Sequence, residues 1–176
     1  ALFVRGKVRD AAGQPLAQVS VDVWHASPAG WYENQDPSQA AMNLRGNFRT
    51  DQQGEFYLRT VKPQGYAIPN DGVVGRLLAA QGRHPMRPAH FHAMLVKPGY
   101  ETLISQVYDH DDPHLASDVQ FGVTAATIGQ FVRHDEPHPS ALDVLLPWYS
   151  LDYDYVMQAG ESRVPQAPKP SAWRSN

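Results

Sequence analysis

The stretch Arg87-Pro88-Ala89-His90-Phe91-His92 brings residue types and spacing closest to chemistry. In an extended strand alternate side chains share a face, so His90 and His92 point to the same side. Two imidazoles a residue apart on one face can clamp a transition metal. The ordinary alternative is one core histidine and one surface histidine, and the spacing alone does not choose between them. Phenol oxygens are offered by Tyr32, in Gly30-Trp31-Tyr32-Glu33-Asn34-Gln35-Asp36, and by Tyr66, in Pro63-Gln64-Gly65-Tyr66-Ala67-Ile68-Pro69. Taken singly, each reads as an amphipathic packing residue with its hydroxyl in water. The chain has no cysteine, so any metal must be held by His, Tyr, Asp or Glu.

The elements that must position these groups read as strands. The 176 residues fit one domain, and 42% hydrophobic content is enough to fill a core. Thirteen glycines and 15 prolines punctuate short apolar runs along the whole length. Val19, Val21 and Val23 alternate with polar or amphipathic neighbours, the period of a half-buried strand. Residues 47–50 and 55–61 flank Asp51-Gln52-Gln53-Gly54 and read as a hairpin; residues 89–96 and 102–108 flank Lys97-Pro98-Gly99 and read as a second. Tyr149, Leu151, Tyr153, Tyr155 and Met157 give a late strand. No segment has a long helical period. The expected fold is all-β, a two-sheet β-sandwich over residues 1–157, followed by an extended Pro/Ser/Ala-rich tail at 158–176. Two irregular stretches, 28–46 and 62–88, are long enough to be functional loops.

Composition excludes several classes. A formal charge of −3 argues against a nucleic-acid or anionic-membrane surface protein, and no stretch approaches the roughly 20 apolar residues of a membrane span. The first residues lack the basic-then-apolar layout of a secretory leader. A cytoplasmic protein with no nucleic-acid or membrane partner is expected.

Beyond single motifs, the sequence resembles the intradiol ring-cleaving dioxygenases of the hydroxyquinol and catechol 1,2-dioxygenase group. The resemblance is carried by Val23-Trp24-His25-Ala26, Gly30-Trp31-Tyr32, Met42-Asn43-Leu44-Arg45-Gly46, Arg49-Thr50-Asp51 with Gly54, Gly65-Tyr66, Asp71-Gly72 with Val74-Gly75, and the run from Gly82 to His92. It continues through Gln106 and weakens beyond about Val123.

The resemblance implies that Tyr32, Tyr66, His90 and His92 are the protein ligands of a mononuclear non-haem Fe(III). The chemistry agrees. A phenol with a pKa near 10 is held as phenolate only by a strong Lewis acid, and two anionic oxygens favour the ferric state, whereas Fe(II) oxygenases use two histidines and a carboxylate. By the same resemblance Tyr66 is the ligand that a bidentate diol displaces and that takes up a proton. Arg87 stabilises charge developing on the substrate ring, and Gln106 orients the intermediate or solvent. Gly30, Trp31, Ile68 and Pro69 should line the ring's approach, with Val119 and Gln120 on the far side. The implied reaction is O2-dependent cleavage between the two hydroxyl-bearing carbons. Hydroxyquinol (1,2,4-trihydroxybenzene) ranks first as substrate, giving 3-hydroxy-cis,cis-muconate/maleylacetate; catechol or chlorocatechol, giving cis,cis-muconates, ranks second.

The family's helical N-terminal segment is absent from this sequence, which leaves a homodimer open. Two rival readings compete with this one: a Zn or Fe(II) site built from His90, His92 and a carboxylate such as Asp109, and a non-catalytic β-sandwich binding module. Asp109-His110-Asp111-Asp112-Pro113-His114 reads as a solvated turn. His134 and His138 read as facing water, His25 as structural, and His84 as a support near Arg87.

Overall fold

A computed structural model describes residues 1–165. In chain order the elements are β1 (Leu2–Asp10), β2 (Ser20–His25), β3 (Arg45–Arg49), β4 (Glu55–Thr60), β5 (Tyr66–Ala67), α1 (Val73–Ala80), β6 (Met86–Arg87), β7 (His90–Val96), β8 (Leu103–Asp109), β9 (Ile128–Gly129), β10 (Val132–His134) and β11 (Trp148–Met157). One sheet has the order β10-β11-β1-β4, the other β3-β2-β7-β8-β9, and β5 pairs with β6 in a small ribbon. The expected β-sandwich is what forms.

Period-two burial explains the two layers. Leu2, Val4 and Val8 of β1 face inward with Phe56 and Leu58 of β4 and Leu151, Tyr155 and Met157 of β11. Val21 and Val23 of β2, Phe91, Ala93 and Leu95 of β7, and Val107 of β8 meet them from the second sheet. Gly6 occupies an inward position of β1 because the ring of its cross-strand partner Phe56 fills the space of a Cβ, 2.1 Å away.

Three expectations need correction. The first predicted hairpin is not one: β3 and β4 lie in different sheets. Asp51 does make the tight turn, its Oδ1 accepting from the N–H groups of Gln53 and Glu55. Buried Thr50 then anchors the crossing, accepting from Val19 N–H and donating to the Leu16 carbonyl. Turn chemistry fixes tightness, not which sheet receives the next strand. Second, the stretch 62–88 contains α1, an eight-residue helix in which only Leu78 is buried, too short and too exposed to imprint a period. Third, the acidic segment that begins with the last residue of β8 is not simply solvated. Asp109 is 2% exposed and pairs with Lys62, whose ammonium also lies over the rings of Phe131 and Tyr149.

His134 and His138 also depart from expectation: they stack on Trp148 and Phe3 respectively, with ring centroids 3.8 and 4.3 Å apart. The described part of the tail runs extended along the β7–β8 turn, where Glu101 N–H donates to the Gln158 carbonyl and Gly160 N–H to that of Gly99. The remainder of the predicted tail, 166–176, lies outside the described residues.

Candidate metal centre

The outer face of the larger sheet carries the site. Trp24, His92 and Gln106 sit side by side across β2, β7 and β8, and His90 faces Tyr108 in the same register. Because every second residue shares a face, these five form one polar and aromatic patch directly behind the inward-facing Val23, Phe91, Ala93 and Val107 of the core. The two long loops fold over this patch. The 28–46 loop delivers Tyr32, and the β5–β6 ribbon pairs Tyr66 directly with Arg87. Two glycines permit the approach. Gly30 (φ 82°) packs where a Cβ would lie 3.1 Å from that of Tyr66, and a Cβ on Gly65 would lie 2.9 Å from the Arg87 carbonyl.

Four donor atoms converge. Tyr32 Oη lies 3.3 Å from Tyr66 Oη and 3.1 Å from His92 Nε2, and His92 Nε2 lies 3.2 Å from His90 Nε2. His90 Nδ1 donates to the Pro88 carbonyl at 2.7 Å, so its Nε2 presents a lone pair to the centre. Trp24 stacks on His92 with planes 1° apart and centroids at 4.9 Å, fixing the ring. The Gln106 amide lies 3.3 Å from His92 Nδ1.

Burial and the neighbouring Arg87 guanidinium keep the imidazoles uncharged. Burial pushes His90 down to about 4 and His92 to about 3, with Arg87 adding to the effect at His90, and His90 and then Arg87 at His92. Both imidazoles are therefore neutral and able to ligate at neutral pH. Burial, reinforced by the Tyr66 hydroxyl, raises the Tyr32 phenol far above its ordinary value; only a positive ion between the donors would make it a phenolate. The donor set thus fits a trivalent metal. Among the described residues no group of three or more His, Cys, Asp or Glu could hold one instead. Asp109, the carboxylate of the rival reading, is engaged by Lys62 and His110.

Arg87 is 3% exposed and reaches the centre through Nη1, 3.1 Å from His90 Nε2. Its Nη2 donates to Tyr108 Oη at 2.6 Å, and Tyr108 Oη donates to Gln106 Oε1 at 3.0 Å. Its Nε donates to Asp118 Oδ1 at 3.2 Å.

Of the expected pocket residues, Gly30 packs on Tyr66, Trp31 is half exposed, and Ile68 N–H donates to the Pro85 carbonyl, holding the β5–β6 ribbon closed. Pro69 and Gln120 are exposed, whereas Val119 is buried with its N–H on the Met86 carbonyl. The structure does not tie Gln120 to the four donors. His84 bonds Ser117 and accepts from Met86 N–H rather than supporting Arg87. Sequence reasoning missed Trp24, Tyr108 and Asp118. Strand alternation could have found the first two, since they share the face of His90, His92 and Gln106.

A sequence model described as "Dioxygenase" matches residues 1–158. A hydroxyquinol 1,2-dioxygenase of Rhizobium sp. (strain MTP-10005) is 40% identical over 159 residues, covering 89% of this chain and 54% of that one. A catechol 1,2-dioxygenase of Candida albicans is 39% identical over 166 residues, covering 94% of this chain and 54% of the other. Among solved structures, a hydroxyquinol 1,2-dioxygenase from Pseudomonas putida DLL-E4 superposes with a TM-score of 0.82 at 38% identity, covering 90% of this chain and 56% of that one. The chain thus spans about half the length of the relatives it matches. Family match, sandwich and relatives agree: the chain belongs to the intradiol ring-cleaving dioxygenases.

Proposed function

We propose that residues 1–157 form a catalytic unit that cleaves a catechol-type ring between its two hydroxyl-bearing carbons, using O2 and a non-haem ferric ion held by Tyr32, Tyr66, His90 and His92. The observation that carries this reading is the convergence of two phenol oxygens and two imidazole nitrogens within 3.1–3.3 Å of their neighbours. Ferric iron, when bound there, supplies the Lewis acidity that stabilises phenolates and brings diol and O2 together. Both oxygen atoms enter the product, so the overall reaction needs no external reductant.

The chain's own residues divide the remaining work. Arg87 Nη1 presents positive charge beside His90, where negative charge on the ring is stabilised. Tyr66 sits on the two-residue strand β5, where its phenol oxygen would help hold the ion and could take up a proton from an incoming diol. Tyr32 is tied to both Tyr66 and His92, which supports a fixed role. Gln106 bears on His92 from behind and acts there by orienting the imidazole.

Hydroxyquinol is the proposed substrate. The support is the hydroxyquinol 1,2-dioxygenase relative at 40% identity. A catechol-cleaving relative at 39% identity keeps catechols as the second reading. The test is oxygen uptake by iron-loaded protein with hydroxyquinol, catechol and 4-chlorocatechol in parallel, with product spectra recorded. Faster uptake with hydroxyquinol and a ring-opened diacid product support the proposal; extradiol products, or no uptake by iron-replete protein, overturn it.

A further inference from the structure

Asp118 is the buried carboxylate nearest the reaction site that no ligand or substrate role uses. It is 4% exposed, on a loop that follows a single 3-10 turn, 31 residues from Arg87 in sequence. Its Oδ1 accepts from Arg87 Nε at 3.2 Å and from Gln120 N–H at 3.3 Å; its Oδ2 accepts from Arg87 Nη2 at 3.3 Å and from Gly122 N–H at 2.9 Å. Four donors saturate the two oxygens, so the carboxylate is held in place and is not free to turn towards a metal.

The consequence falls on the arginine. A guanidinium is a planar fork whose nitrogens cannot be aimed independently. With Nε and Nη2 held by Asp118, and Nη2 also by Tyr108, Nη1 alone is left to face the four donors, 3.1 Å from His90 Nε2. Gly122 completes the clamp: a Cβ there would lie 2.4 Å from Tyr108 Oη and 3.2 Å from both Arg87 Nη2 and Asp118 Oδ2.

We propose that Asp118 is a positioning residue for ring cleavage: it grips the Nε/Nη2 edge of Arg87 so that Nη1 stays aimed at the substrate side of the donor centre. This role rests on the ring-cleavage reading. Burial opposes ionisation of Asp118, yet its bonds from Arg87, Gly122 and Gln120 hold it below the ordinary carboxylate range, consistent with a permanently charged anchor.

The isosteric Asp118→Asn keeps the volume but removes the charge and one acceptor. In 15N-labelled parent protein the Arg87 Nε–H resonance should be sharp and slow to exchange with solvent; in Asp118→Asn it should broaden or vanish. In iron-loaded protein kcat should fall on the order of 10- to 100-fold, as when a group behind the reacting ones is removed, with KM changed by less than about threefold. As a second measurement, Arg87→Ala should regain turnover when guanidinium ion is added, and Arg87→Ala/Asp118→Asn should not. An equally protected Nε–H in Asp118→Asn, parental kcat, or equal rescue of the single and double variants overturns the positioning role. An iron-loaded parent that consumes no oxygen with any diol overturns the ring-cleavage reading, and this role with it. That outcome is distinct from an active parent whose Asp118→Asn variant turns over normally.

Discussion

Tyr32 and Tyr66 stand 34 residues apart in the chain, yet their hydroxyl oxygens meet at 3.3 Å with the two rings edge to face, 89° between planes. Neither belongs to a strand of the sandwich; each is carried in by a loop that the sandwich face receives. The two hydroxyls can hydrogen-bond to one another, and that of Tyr32 to His92 Nε2, yet the four groups together also turn two oxygens and two nitrogens towards one point. They make sense around a cation.

Metal should therefore stabilise the fold. A ligand that binds only the native state at about 100 times its Kd adds about 2.7 kcal/mol, which for a chain of this length is a rise of about 5–10 °C in Tm. Thermal unfolding of chelator-treated protein before and after ferric loading checks it. The Tyr32→Phe/Tyr66→Phe double variant should lose most of the increase.

Acid should destabilise the metal-free protein earlier than carboxylate chemistry alone would. His25, His90 and His92 are all held below the ordinary histidine pKa by burial, His90 down to about 4 and His92 to about 3. The unfolded chain then binds more protons than the native one below about pH 6.5, so stability is full above that value and falls as pH drops towards the folded values. At pH 5 His90 alone costs about 2 kcal/mol relative to neutral pH. Urea midpoints of apo-protein at pH 7.5 and 5.0 measure it, and His90→Asn should flatten the difference.

The Lys62–Asp109 pair should prove a strong structural contact. Removing one partner of a buried ion pair costs about 3–5 kcal/mol because the other charge is stranded. Lys62 is partly exposed and His110 also touches Asp109, so Lys62→Ala is expected near the lower end, about 3 kcal/mol. Lys62→Ala/Asp109→Leu should recover part of that loss. Denaturant unfolding of the three proteins gives the comparison.

Gly122→Ala should cost about 1–3 kcal/mol by overpacking, since its Cβ would press on Tyr108 Oη and the Arg87–Asp118 pair. The same variant should lose turnover out of proportion to its stability loss, which activity and Tm measured side by side would show.

How far the sequence could be read depended on the range of the signal. Alternation along β2 and β11, with turn residues around β7 and β8, exposed the sandwich, because strand period is local. His90 and His92 were legible from their spacing on one strand, and Tyr32, Tyr66 and Arg87 only from resemblance, since nothing in a loop states which face it will cover. Trp24, Tyr108 and Asp118 went unread. Their roles come from cross-strand register and from a contact 31 residues distant, neither visible in a linear pattern. The β3–β4 turn misled for a related reason: Asp51 and Gly54 dictate a tight reversal whether the strands stay in one sheet or part between two.

The most direct measurement is the visible spectrum of apo-protein titrated with ferric iron. If Tyr32, Tyr66, His90 and His92 share a single ion, absorbance from phenolate-to-iron charge transfer should grow to saturation at one equivalent, and Tyr32→Phe and Tyr66→Phe should each shift or weaken it. A colourless titration end point, or a band that neither substitution changes, would contradict the account.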